Sequence, residues 1–289
     1  MTNVLSPTNI QKTGVVGAGQ MGLGIAQVLA QAGFDVKMLD ANPKALEKAM
    51  QSIESSLNKL KEKGKLEEEP GKVLQRIQAC QSMTDLKDAQ IVIEAVSEIE
   101  KLKIEIFQSL DQVLAPEAII ASNTSSLPIT RLAAATKRPA QVIGMHWMNP
   151  VPLMKLVEII SGHATSANTL QVTKHLAERA GKVTVQSQDY PGFIVNRILM
   201  PMINEAFFTL MEGVATAEDI DNGMKLGTNQ PMGPLALADF IGLDTCYSIL
   251  KVLHDGLGDP KYRPCPLLRK YVEAGHLGKK SGQGVFLYR

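Results

Sequence analysis

Residues 14–22 read Gly-Val-Val-Gly-Ala-Gly-Gln-Met-Gly, and residues 34–40 read Phe-Asp-Val-Lys-Met-Leu-Asp, with an alanine-rich apolar run between them. This is the pattern of a strand, a glycine turn, a helix and a second strand ending in a carboxylate. Gly17 permits the tight turn out of the strand. Gly19 lets backbone N–H groups approach a pyrophosphate without a Cβ in the way, and Gly22 lets the helix pack closely on the strand. A helix beginning near Gln20 and Met21 points its first amides and the positive end of its dipole at phosphate. A glycine turn alone is a weak signal, because such turns are common. Here an apolar strand (Thr13 to Val16) precedes it, helical spacing (Ile25, Leu29, Ala32) follows it, and Asp40 stands about 20 residues further on. A ligand-free turn explains Gly17 but leaves the carboxylate unexplained.

Asp40 also selects the cofactor. A carboxylate at the end of the second strand accepts hydrogen bonds from the adenosine ribose and repels a 2′-phosphate, for which an arginine would be expected. Ala41, Asn42 and Pro43 follow, with no arginine among them. The expected cofactor is NAD rather than NADP.

A chain of 289 residues is long enough for two domains. Its formal net charge of +1 argues against nucleic acid as a partner. Cys80, Cys246 and Cys265 show no metal-ligand spacing and no paired framework, so no metal site is expected and the cysteines read as thiols in a reducing compartment. The polar segment Met1 to Lys12 lacks the marks of a signal or transit peptide. No apolar run reaches the roughly 20 residues of a membrane helix. A cytoplasmic protein with no membrane partner is expected.

Beyond Asp40, a charged helix is expected from Pro43 to about Lys63, broken at Gly64. Its mixed charges read, on pattern alone, as a solvated face. Apolar runs at 91–96, 118–121, 142–145 and 156–160 predict strands, with a helix over 100–114. The alternation implies an α/β fold: a Rossmann-type, doubly wound, mostly parallel sheet with helices on both faces. Near residues 186–191 the composition changes, and helical patterns follow at 193–211, 216–226, 236–253 and 267–274. The expected organisation is an NAD-binding domain over 1–187 and an all-α substrate and dimerisation domain over 188–289, with Gly192 and its neighbours as a hinge. A helical domain of roughly 100 residues is small and is expected to bury an apolar face against a second copy, giving a homodimer.

In such a sheet, ligands bind beyond the carboxyl ends of the strands. Ser122 to Ser126 follow one strand and His146 follows another. Glu158 interrupts the apolar run Leu156 to Ile160, and a carboxylate there is costly unless paired. After the reversal at 149–152 it falls within reach of His146. The pair makes a base with an orienting partner, as hydride removal from a secondary alcohol requires. Asn196, one turn into the helix that opens the second domain, is placed to donate its amide to a substrate carbonyl.

The stretches at 17–22 (Gly-Ala-Gly-Gln-Met-Gly), 93–96 (Ile-Glu-Ala-Val), 122–127 (Ser-Asn-Thr-Ser-Ser-Leu), 146–152 (His-Trp-Met-Asn-Pro-Val-Pro), 154–158 (Met-Lys-Leu-Val-Glu), 191–197 (Pro-Gly-Phe-Ile-Val-Asn-Arg) and 279–284 (Lys-Lys-Ser-Gly-Gln-Gly) together resemble the short-chain L-3-hydroxyacyl-CoA dehydrogenases. The resemblance spans residues 14–288. Asp-Phe-Ile-Gly-Leu-Asp (239–244) and Gly-Asp-Pro-Lys-Tyr-Arg-Pro (258–264) are similar to the bacterial 3-hydroxybutyryl-CoA dehydrogenases in particular. The resemblance implies His146 as general base, Glu158 as its partner, Ser125 on the substrate 3-hydroxyl and Asn196 on its carbonyl side. It implies NAD contacts from Glu98, Lys103, Ser122, Asn149 and Lys280, and coenzyme A contacts from Ser56 and Lys63, which revises the reading of the charged helix. It further implies an acyl-CoA thioester substrate and a place in fatty-acid oxidation or butanoate metabolism. Trp147-Met148, Thr228 and Gln230 depart from the common family pattern and bear on acyl-chain preference. Two rival readings are a non-catalytic dinucleotide-binding relative and a dehydrogenase of a free hydroxy acid.

Overall fold

The computed structural model describes residues 5–288. The chain divides into two compact units, one ending at Tyr190 and the other beginning at Pro191. The division falls within the segment 186–191 where the composition changes, and a strand, Val183–Gln188, runs up to it.

The first unit begins β1 (Lys12–Val16), α1 (Gln20–Gln31), β2 (Asp35–Leu39), α2 (Pro43–Glu62), α3 (Pro70–Leu74) and β3 (Ile77–Cys80). It continues β4 (Ile91–Glu94), α4 (Glu100–Val113), β5 (Ile119–Ser122), α5 (Ile129–Ala134), β6 (Val142–Trp147), β7 (Leu156–Ser161), α6 (Ala167–Arg179) and β8 (Val183–Gln188). The eight strands form one sheet in the order β3-β2-β1-β4-β5-β6-β7-β8. The first six in that order are mutually parallel, β7 is antiparallel to β6, and β8 is parallel to β7. The order reverses between β1 and β4, the switch point at which such sheets open a ligand crevice.

Two strands were not expected, β3 and β8, and they are the two edges of the sheet. Central strands are buried along their whole length, as in β4 (Ile-Val-Ile-Glu) and β5 (Ile-Ile-Ala-Ser). An edge strand needs no such apolar run, and β8 (Val-Thr-Val-Gln-Ser-Gln) has no fully buried residue. The strand expected over 142–145 extends to Trp147, so His146 lies inside it rather than after it, held by pairing with β7.

Alternation sorts the two faces at β6 and β7. Ile143, Met145, Trp147, Val157 and Ile159 join the main core with Ile25 of α1 and Leu176 of α6. Gly144, His146, Glu158 and Ile160 face the other way. At Gly144 a Cβ would lie 2.9 Å from Ile129 of α5, so glycine is what lets that helix settle on the sheet.

The second unit is helical: α7 (Val195–Met211), α8 (Ala217–Gly227), α9 (Pro234–Ile241), α10 (Leu243–Leu257) and α11 (Pro266–Glu273). The single helix expected over 236–253 is two, divided at Gly242, whose φ of +104° no helix continues. Its own core gathers Met200, Ile203 and Phe207 of α7, Leu250 and Leu253 of α10, and Leu268 of α11. Two buried carboxylates organise it. Asp221 accepts the N–H groups of Leu235 and Ala236 at the start of α9 (2.8 and 2.9 Å). Asp239 accepts those of Val285 and Phe286 (both 2.9 Å) and anchors the C-terminal segment. Among the described residues, no helix is long and apolar enough to cross a membrane.

Candidate active site

The crevice begins where β1 turns into α1. A cavity of about 870 Å3 opens there, lined by Gly17, Gly19, Asp40, Ala41, Ser82 and Val96 among others. Two of its glycines exist for different reasons. Gly17 has φ +110°, and a Cβ on it would lie 2.6 Å from the Ala95 carbonyl oxygen, so the fold itself demands glycine. Gly19 has an ordinary φ of −70°, and a Cβ there would meet no protein atom within 4 Å. Among the described residues no packing contact calls for glycine at 19, and the open space beside it leaves room for a ligand against the backbone. Gly19 is also the N-cap of α1, and no side chain caps that helix, which leaves its amides for an anion. Asp40, just past β2, accepts the N–H groups of Ala18 (2.7 Å) and Asn42 (2.8 Å). Both carboxylate oxygens are thereby fixed, each keeping capacity for another donor. The residues present fit a dinucleotide.

Beyond the switch point the site is built from charged side chains. Glu94, the last residue of β4, is fully buried and lies in register with Ser122 of β5. It accepts hydrogen bonds from Ser122 Oγ (2.6 Å), Val96 N–H (2.7 Å) and Lys103 Nζ (2.6 Å). Lys103, also fully buried, reaches Glu98 at 3.1 Å. Glu98 Oε1 accepts the backbone N–H groups of Ser125 (3.0 Å) and Ser126 (3.1 Å), the Ser126 hydroxyl (2.9 Å) and the Thr124 hydroxyl. Ser125 Oγ lies 3.4 Å from the same oxygen. Burial raises the Glu98 pKa, but the Lys103 charge and the hydroxyl donors of Thr124 and Ser126 outweigh it, and the carboxyl titrates below its usual range.

His146 and Glu158 are directly opposed on antiparallel β6 and β7, so their side chains rise from the same face. His146 Nδ1 and Glu158 Oε2 are 2.7 Å apart. Glu158 is fully buried and His146 nearly so. The carboxylate holds the Nδ1 proton and makes Nε2 the nitrogen that bears the lone pair. Just past β5, Asn123 Oδ1 accepts the Trp147 backbone N–H at 2.9 Å and ties the loop after β5 to the end of β6.

The 148–155 reversal forms one wall of a groove of about 590 Å3 against α2, lined by Ser56, Lys59, Lys63, Pro150, Pro152 and Leu153 among others. Lys182 fastens this turn from behind: its buried Nζ donates to the carbonyls of Val151 (2.5 Å) and Met154 (2.8 Å). Burial pushes its pKa down. Asn149 stands exposed at the start of the turn. In the second unit, Asn196 is buried in the first turn of α7. Lys280 is paired with Asp244 at 2.5 Å.

Residues 12–190 match the family model described as 3-hydroxyacyl-CoA dehydrogenase, NAD binding domain, and residues 192–288 match 3-hydroxyacyl-CoA dehydrogenase, C-terminal domain. The chain belongs to the 3-hydroxyacyl-CoA dehydrogenase family. It is 57% identical over 277 residues to a probable 3-hydroxybutyryl-CoA dehydrogenase of Deinococcus radiodurans, covering 96% of this chain and 100% of that one. It is 58% identical to the corresponding protein of Bacillus subtilis, covering 96% and 98%. The crystal structure of (S)-3-hydroxybutyryl-CoA dehydrogenase from Ralstonia eutropha superposes with a TM-score of 0.95 at 50% identity, covering 97% of this chain and 100% of that one. As a member of this dehydrogenase family the chain is an NAD-dependent oxidoreductase, and its first unit is the NAD-binding domain.

Within that dehydrogenase framework the structure brings together Gly17, Gly19 and Asp40 on one cavity, Ser56 and Lys63 on one groove, and His146 with Glu158. Lys103 and Ser122 are buried and meet at Glu94. Residue-by-residue reading passed over Glu94, Asn123 and Lys182. For Glu94 a signal existed: a carboxylate ending an apolar strand, the same anomaly that marks Glu158. The roles of Asn123 and Lys182 depend on backbone groups brought close only by the fold.

Proposed function

We propose that this dehydrogenase interconverts L-3-hydroxyacyl-CoA and 3-ketoacyl-CoA, with a short acyl chain such as 3-hydroxybutyryl as its substrate and NAD preferred over NADP. The observation that carries the reading is the buried His146–Glu158 pair at 2.7 Å, at the carboxyl end of the sheet beside the loop that holds Ser125. A carboxylate on Nδ1 sets the tautomer in which Nε2 can accept a proton, which is what a general base for an alcohol needs. NAD, when bound, supplies the hydride acceptor at the substrate C3.

In the oxidation direction His146 Nε2 takes the hydroxyl proton, and Glu158 stabilises the imidazolium that results. Ser125, oriented by Glu98, fixes the 3-hydroxyl, and Asn196 donates to the carbonyl side of the substrate. Gln20, Met21 and the glycines around them receive the pyrophosphate, and Asp40 receives the adenosine ribose. Glu98, Asn149 and Lys280 serve the rest of the cofactor, with Lys103 and Ser122 acting from behind through Glu94 and Glu98. Ser56 and Lys63 meet the coenzyme A moiety, the lysine as a point charge for phosphate. The 590 Å3 groove supports that role. We further propose a cytoplasmic homodimer joined through the helical unit, on which Ile198, Val214 and Leu226 expose apolar side chains. The family places such chemistry in fatty-acid or butanoate metabolism.

The test is oxidation of NADH by acetoacetyl-CoA, run beside NADPH and beside free acetoacetate. Rapid turnover with NADH and the thioester alone is expected. Equal turnover of free acetoacetate would replace the thioester reading with that of a hydroxy-acid dehydrogenase.

A further inference from the structure

The cofactor changes charge during the reaction: its nicotinamide ring is cationic when oxidised and neutral when reduced. A fixed charge near that ring therefore acts on the balance between the two forms as well as on their affinity.

Asp40 lies on the β2 side of the switch point, and Gly17 and Gly19 lie at it. With the adenosine on Asp40 and the pyrophosphate on the glycines, the other half of a dinucleotide runs toward the ends of β4, β5 and β6. This inference rests on that placement. Besides the His146–Glu158 pair, the ends of β4 and β5 gather two carboxylates and one ammonium, Glu94, Lys103 and Glu98, linked at 2.6 and 3.1 Å. The adjacent Glu100 is matched by Arg131 at 2.9 Å and adds no net charge. Lys103 can neutralise only one of its two partners. Glu94 is sealed in the protein, whereas the Glu98 side chain is 34% exposed.

We infer that Glu94, Lys103 and Glu98 leave one net negative charge at the nicotinamide end of the crevice, and that Glu98 is thereby a specificity-determining residue that favours binding of NAD+ over NADH. A neutral glutamine at 98 has an oxygen able to accept from Ser125 and Ser126, so loop geometry alone does not call for a carboxylate. The depressed pKa of Glu98 keeps the charge in place throughout the neutral range. In the oxidation direction the attraction between this fixed charge and the ring is lost as the ring becomes neutral in NADH, which eases release of the product cofactor.

The test compares Glu98→Gln, which removes the charge and keeps the size, with Glu98→Asp, which keeps the charge. NADH binding is read by its fluorescence and NAD+ binding by competition, with no substrate present. Thermal unfolding of each variant verifies folding. A unit charge within about 10 Å, at an effective dielectric of about 40, corresponds to roughly a fourfold effect. Glu98→Gln is expected to weaken NAD+ about fourfold more than NADH, and Glu98→Asp to change both by one common factor. A common factor in Glu98→Gln as well would overturn the charge assignment and leave the cofactor site standing. Failure of the unaltered protein to bind either nucleotide would overturn both.

Discussion

The two halves of the crevice solve the same problem with different materials. On the β1–β2 side, ligand room and anion affinity come from the backbone: a glycine turn, an uncapped helix end and one carboxylate held by two N–H groups. On the β4–β7 side, the site is made of side chains taken out of water and paired across strands, Glu94 with Ser122 and His146 with Glu158. The first half places phosphate and ribose, whose shape and charge stay constant. The second half must carry proton and charge changes, for which titratable groups in a low-dielectric setting are suited. The contrast teaches that binding and chemistry can be perturbed separately.

The sharpest way to break that separation is Glu158→Gln. The fold keeps a hydrogen-bonding side chain of the same size, but the carboxylate that stabilises a protonated His146 is gone. Turnover is expected to fall about 100-fold, with NADH affinity within twofold of the original, by steady-state kinetics and fluorescence titration. A parallel loss of NADH binding would show that the two halves are one unit.

On the backbone side the two glycines separate stability from affinity. Gly17→Ala forces a Cβ toward the Ala95 carbonyl at positive φ and is expected to lower stability by about 2 kcal/mol or more. Gly19→Ala meets no protein atom, so its unfolding temperature is expected to stay within about a degree while NADH affinity drops roughly tenfold. Differential scanning calorimetry beside NADH titration reads both. A Gly19→Ala protein that binds NADH normally would remove the ligand from that space.

The smallest expected effect belongs to the groove. Lys63→Ala should raise the KM for acetoacetyl-CoA about three- to fivefold at low salt and less at high salt, with kcat unchanged, because an exposed lysine meets phosphate through screened charge. An effect independent of salt would assign Lys63 a packing role instead.

Legibility in the sequence follows burial. The β1–α1–β2 unit was readable because glycine spacing and apolar runs are local properties, and so were the four inner strands β4 to β7. The edge strands β3 and β8 were not, since an edge is under little demand to be apolar. Glu158 was readable as an anomaly and found its partner through the reversal at 149–152. Glu94 presented the same anomaly inside the run 91–96, but its partners Ser122 and Lys103 come from other elements that only the fold brings to it. Lys182 and Asn123 bond to backbone groups 24 or more residues away in the chain, and no local pattern encodes that.

The most direct test of the central claim is single-turnover hydride transfer from bound NADH to acetoacetyl-CoA in His146→Ala, with the NADH dissociation constant measured on the same sample. An unchanged dissociation constant and a transfer rate lower by about 100- to 10,000-fold are expected. A rate within a few-fold of the unaltered enzyme would contradict the assignment of His146 as the group that moves the proton.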